Sequence, residues 1–75
     1  MKVIDFRKNV FEITEEYPEV IEIMIELGFK DIGNSVVRKT AGKMMTIPMG
    51  CRMKGIKLEQ VVTELENKGY ILINN

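Results

Sequence analysis

The chain has 75 residues, 45% of them hydrophobic, with eleven basic and eleven acidic side chains, no histidine and one cysteine. That size leaves room for one domain only, one cysteine cannot close an internal disulfide, and without histidine there is neither a closed His/Cys zinc site, which needs four such ligands, nor a nucleophile–histidine pair for covalent catalysis. The zero net charge hides an uneven distribution: residues 1–33 carry four basic against eight acidic side chains (−4), residues 34–57 six basic and none acidic (+6), and residues 58–75 one lysine against three glutamates (−2).

In chain order, "KVIDF" is a short β-type run. A first helix then opens at Asn9, a good N-cap, with Glu12 three residues on in the capping-box position. Val10, Ile13 and Tyr17 fall on one face. Pro18 ends it, because proline disfavours helical geometry in the residue before it, and the same proline suits the first turn of a second helix, "PEVIEIMIELG". Val20, Ile21, Met24 and Leu27 make its apolar stripe, and Ile23 and Ile25 widen it. This is the expected central helix, with only Glu19, Glu22 and Glu26 on its water line. Gly28 is its left-handed stop, and Phe29 folds back onto its last turn.

"DIGN" reads as a loop turning at Gly33 and Asn34. A third helix, "SVVRKTAGKMM", follows, with Val36, Val37, Ala41, Met44 and Met45 as its apolar positions. Gly42 inside it costs about 1 kcal/mol against alanine, so it either weakens the helix or serves close packing. Thr46 caps the next piece, "IPMGCRM", with Pro48 in its first turn, expected as one short helical turn ended near Gly55. In the last helix, "LEQVVTELENKG", the stripe is Leu58, Val61, Val62 and Leu65. Gly69 is its stop, and Lys68 lies beside the negative helix end. A second β-type run, "YILIN", closes the chain. It either pairs with "KVIDF" or lies on the core as an extended arm.

The expected fold class is therefore all-α: a compact bundle of four or five short helices, one domain over residues 1–75, with a two-stranded pairing of the termini left open. A domain of this size buries only about 60% of the surface its unfolded chain exposes. With no disulfide or zinc staple, helix packing or self-association must stabilise it. No signal-like apolar run precedes the first charges, no apolar run approaches the ~20 residues that span a bilayer, and a solitary cysteine suits a reducing interior. The expectation is a cytoplasmic protein without membrane contact.

"KMMTIPMGCRM", residues 43–53, holds four of the six methionines and the only cysteine. A thiolate with thioethers suits copper(I). If Pro48 opens a helix, however, Met49 and Met53 share one side while Cys51 lies about 200° round from Met49 at ~100° per residue. A soft-metal or thiol-redox site built on Cys51 with Met49 and Met53 is thus the alternative reading. Arg52 and Lys54 beside the thiol would lower its pKa, but there is no second cysteine to resolve an oxidised one. The favoured reading makes Met44, Met45, Met49 and Met53 packing or interface residues, since methionine fills irregular cores and adaptable surfaces. The glutamate rows are read as solvated faces rather than general acids, and no phosphate-loop spacing occurs. No catalytic residue, metal ligand set or cofactor is assigned, and the chain is not expected to be an enzyme.

The basic segment is the best candidate site. Arg38, Lys39 and Lys43 share one helix, and Arg52 and Lys54 follow a helix start whose free N–H groups favour anions. The stretch Arg38–Lys57 offers itself to a phosphate, to nucleic acid or to an acidic protein. Alternatively its charges are solvent faces, or they meet the acidic rows within the chain or in a dimer. No aromatic residue lies between Phe29 and Tyr70, which disfavours base stacking. The field of the segment favours an acidic protein surface.

"EEYPEVIEIMIELGFKDI" followed by "TAGKMMTIPMGCRMKGIKLEQV" resembles the small helical domain of unknown-function family 1858, over about Ile4 to Tyr70. That family is related to the N-terminal domain of the di-iron proteins that repair iron–sulfur clusters. The "TAGKMMTIP" phrase looks like the version found at the N-terminus of larger bacterial and archaeal proteins with hemerythrin-like and PAS sensor domains. The resemblance implies a bundle of short helices and a role as an accessory or interaction module in redox or gas sensing, with a hemerythrin-like or PAS protein as partner. Many relatives carry a cysteine pair directly after the "LGF"-like phrase. Here the matching "KDIGNS" has none, so a redox or iron-delivery role built on that pair does not carry over. The resulting expectation is a non-catalytic module that docks on such a partner, or on itself, through Arg38 to Lys54.

Overall fold

The capping box at the first helix forms as its residues dictate: the Asn9 side chain accepts from the Glu12 N–H at 2.8 Å, and the Glu12 carboxylate accepts from the Asn9 N–H at 3.1 Å. The computed structural model describes residues 1–73. Its elements are β1 (Lys2–Asp5), α1 (Val10–Glu16), α2 (Val20–Leu27), α3 (Ser35–Lys39), α4 (Ile47–Lys54), α5 (Leu58–Asn67) and β2 (Tyr70–Ile73). Two 3-10 turns, Lys30–Gly33 and Ala41–Met44, stand before and after α3. The fold is thus a bundle of five short helices with a small two-stranded sheet at the termini.

The termini pair. β1 and β2 run parallel, Lys2 opposite Tyr70 and Asp5 opposite Ile73. Asn74, the last residue of the "YILIN" run, lies outside the described residues. Parallel strands need a long crossover, and here the five helices supply it. Ile4, Phe6 and Tyr70 turn into the core, while Ile71 and Ile73 stay exposed. In the core they meet Ile13 from α1, Val20 and Met24 from α2, Ile47 from α4, and Val61 and Leu65 from α5. On α2, Ile23 is buried, whereas Ile21, Ile25 and Leu27 are only half-buried. On α5, Leu58 and Val62 likewise sit at the margin of the core.

Several boundaries differ from the sequence expectation. α2 begins at Val20 rather than at Pro18, which sits in the preceding turn with its carbonyl accepting from the Ile21 N–H at 3.1 Å. Asp31 to Gly33 of "DIGN" lie in the 3-10 turn Lys30–Gly33, and Asn34 caps α3, its side chain accepting from the Val36 N–H at 2.8 Å. α4 runs for eight residues rather than one short turn, capped by the Thr46 hydroxyl at 3.3 Å from the Met49 nitrogen and stopped at Gly55 with φ +70°.

The largest departure is the third helix, which breaks at Thr40 (φ −107°, ψ −82°). The Thr40 hydroxyl donates back to the Val36 carbonyl at 2.8 Å, a local competitor of the helix. Farther on, the Val10 N–H donates to the Met45 carbonyl at 2.8 Å, and Asn9 bridges Thr46 in antiparallel fashion, so Met45 is held extended. Gly42 passes under α1, where a Cβ would lie 3.5 Å from the Phe11 nitrogen. Tertiary hydrogen bonds therefore override the helical pattern. The expected apolar face does not form: Val36 is 66% and Met44 83% exposed, Ala41 is exposed, and only Val37 and Met45 are half-buried.

Candidate functional site

Gly28 takes φ +117°, which lets the chain reverse at the end of α2 so that the Phe29 N–H donates to the Met24 carbonyl at 3.0 Å. Phe29 is thereby laid across the core beside Met24. Above it comes α4, and the approach requires Gly50: a Cβ there would stand 3.3 Å from Phe29 Cε1 and 3.5 Å from Met45 Sδ. These contacts form the floor of an open groove of about 270 Å³. Met24, Phe29, Ile32, Ile47 and Gly50 lie at its base, and Val37, Ala41, Met45 and Met53 line its sides.

Three charged residues border it: Asp31, Arg38 and Lys54. Arg38 leaves the last turn of α3, and its Nη1 donates to the Ile32 carbonyl at 2.7 Å. Among the described residues no carboxylate pairs with it. Lys54, at the end of α4, reaches Asp31 at 3.3 Å. Both side chains are substantially exposed, so this pair is worth little by itself.

The structure thus brings part of the expected basic site together. Arg38 and Lys54 border the groove, with Met45 and Met53 on its sides. Lys43 instead sits 4.8 Å over the Phe11 ring, a cation–π arrangement. Lys39 and Arg52 are exposed, and neither lines the groove. Met44 and Met49 are exposed as well and also lie off it. The groove residues that the sequence did not single out are chiefly Phe29, Ile32, Gly50 and Asp31. Gly50 carried a readable signal, because a glycine inside a helical run marks a close approach. Nothing local to Asp31 announces its pairing 23 residues away.

Cys51 points into the core at 3% exposure, whereas Met53 on the same helix is 71% exposed and Met49 is exposed too. The three sulfurs therefore do not converge. Burial pushes the Cys51 thiol up, opposite to the lowering that Arg52 and Lys54 nearby would produce. Among the described residues there is no group of three or more His, Cys, Asp or Glu side chains placed to hold a metal. No described helix is long and apolar enough to cross a membrane. Chemically, the groove can take apolar atoms on its floor with an anion beside Arg38.

The profile of the family described as Domain of unknown function (DUF1858) matches residues 4–62, which include every groove residue. The chain is also similar to the crystal structure of the conserved domain protein from Streptococcus pneumoniae TIGR4: 36% identity, TM-score 0.93, covering 97% of this chain and 92% of that one. None of the curated proteins matches it.

Proposed function

The chain belongs to the DUF1858 family of domains of unknown function, and from that premise we propose that it is a non-catalytic protein-interaction module whose groove receives a segment of a partner protein. The observation that carries this is the apolar groove of about 270 Å³ bordered by an arginine with no carboxylate partner among the described residues. Burying one large apolar side chain contributes about 1.5–3 kcal/mol, so one or two anchors give the modest affinity of a transient contact. Met45 and Met53 adapt the walls to the occupant. The outlying Lys39, Lys43 and Arg52 add to the positive field that speeds encounter. Turnover forms no part of the proposal. The partner class, a hemerythrin-like or PAS-type redox or gas sensor, is supported by the resemblance carried by "TAGKMMTIP". A reducing cytoplasmic setting is supported by the buried free thiol of Cys51.

The test places a photo-crosslinking residue at Ala41, exposed on the groove wall, and as a control at Glu15 on α1. The protein captured from Ala41 is identified, purified and titrated by calorimetry against wild type and Ala41→Trp, whose indole covers the groove. Capture specific to Ala41, and affinity at least about tenfold weaker for Ala41→Trp, a loss the size of one buried anchor, support the reading. Equal capture at both positions, or unchanged affinity, removes it.

A further inference from the structure

The groove has an asymmetric chemistry that narrows what enters it. Its floor is apolar throughout, and its charged border holds two cations and one carboxylate. One of those cations is held ready. Arg38 uses Nη1 on the Ile32 carbonyl at 2.7 Å, which fixes the guanidinium at the border. A guanidinium has five N–H donors in a rigid fork, so donors remain for an incoming group. The planar fork matches a carboxylate better than any neutral acceptor. The other cation, Lys54, has an internal carboxylate: Asp31 holds it at 3.3 Å. The pair is solvent-exposed, and such pairs exchange readily. Residues 34–57, which supply most of the groove's lining, contain six basic side chains and no acidic one.

We infer that the occupant of the groove is an acidic amphipathic segment of the partner protein, a large apolar side chain with a carboxylate close to it in sequence, and that Arg38 holds this carboxylate while Asp31 is the internal anion it displaces from Lys54. This rests on the groove being a protein-docking site, as proposed above. A basic segment would face Arg38 and Lys54 with only Asp31 to meet it. A nucleic-acid strand would find its one aromatic ring, Phe29, buried in the floor rather than presented for stacking.

The experiment pans a random dodecapeptide phage library on wild type and on Ala41→Trp. A selected peptide and its counterpart with Asp and Glu changed to the amides are then titrated by fluorescence anisotropy against wild type, Arg38→Gln and Asp31→Asn. The selected peptides are expected to combine a large apolar residue with an acidic one within about four positions, one helical turn. Arg38→Gln weakens the acidic peptide by about tenfold or more, the range of a charge-assisted hydrogen bond, and leaves the amide peptide nearly unchanged. Asp31→Asn, at an exposed position where folding is not at stake, tightens the acidic peptide by about two- to fivefold. A neutral or basic consensus, an equal effect of Arg38→Gln on both peptides, or weaker binding by Asp31→Asn overturns the inference. If such peptides still lose binding in Ala41→Trp, the docking reading survives without it. Absence of any peptide sensitive to Ala41→Trp removes both.

Discussion

The Tyr70 hydroxyl donates to Glu19 Oε2 at 2.6 Å, joining β2 to the start of α2 across 51 positions of the chain. Lys2 completes the group from β1, 3.4 Å from the same carboxylate oxygen and 5.2 Å over the Tyr70 ring. Tyr17 meets Tyr70 edge-on at 5.5 Å, and its hydroxyl accepts from the Val3 N–H at 3.0 Å. Both strands are thereby fastened to the α1–α2 corner by polar groups standing on an apolar base.

Tyr70→Phe keeps the ring packing and removes only the hydroxyl. Glu19 is exposed and finds water, so no buried polar group is orphaned. The thermal midpoint is expected to fall by about 5 °C, the usual response of a domain this size to loss of one hydrogen bond. Amide exchange in β1 and β2 should quicken more than in α5. A uniform change across all elements would contradict the fastening role.

Acid weakens the fold through two carboxylates. Arg7 holds Asp5 with its side chain, Nη2 at 2.8 Å, and with its backbone N–H, lowering the Asp5 pKa to about 2. The Tyr70 hydroxyl, with Lys2 as a lesser cause, lowers that of Glu19. Unfolded, both carboxyls take up protons near their ordinary values; folded, only at lower pH. Between the two the unfolded chain binds more protons, so stability present above pH 4–5 drains away as pH falls toward about 2. Urea midpoints from pH 7 to 2 check this, and Asp5→Asn should flatten the lower part of the curve. A carboxyl resonance of Asp5 titrating near 4 would refute it.

Cys51 should behave as a core residue. Burial raises its thiol pKa, so the native thiolate is scarce at neutral pH and the stability tied to the protonated thiol is lost only as pH rises above the ordinary value of 9.0. Iodoacetamide should label the native protein at least about a hundredfold more slowly than the urea-unfolded chain, because reaction waits for opening. Cys51→Ser buries a hydroxyl in an apolar site and should cost about 1–3 kcal/mol in urea denaturation. Fast labelling of the folded protein would return the thiol to the list of functional candidates.

Gly50 tests the groove floor from inside. Gly50→Ala gains up to about 1 kcal/mol of helix propensity but sets a methyl 3.3 Å from the Phe29 ring. The two effects oppose each other, and the net change in stability should be small. Gly50→Leu cannot be accommodated without displacing Phe29 or Met45, and it should cost about 1–3 kcal/mol by overpacking while filling the groove. Denaturation curves for both variants, with peptide titrations of Gly50→Leu, separate the two effects. Undiminished binding by folded Gly50→Leu would place the docking surface elsewhere.

The local devices of this fold were legible from neighbouring residues. Asn9 with Glu12, Thr46 before Pro48, and Gly28 and Gly69 as stops each involve partners a few positions apart, so the chain encodes them wherever it sits in space. The apolar spacing of α2 and α5 likewise announced which faces seek the core, and the 100° step of a helix already turned Cys51 away from Met49. The tertiary structure decided the rest: the parallel pairing of β1 with β2, the break at Thr40, and the division of the basic segment among a groove, a phenyl face and water. Each of these turns on groups distant in sequence, as when the Met45 carbonyl takes the Val10 N–H and Lys54 finds Asp31. A hydrogen bond between remote residues forms only after the chain has closed the loop between them, and which loops close depends on how all five helices pack together, not on any short stretch of sequence.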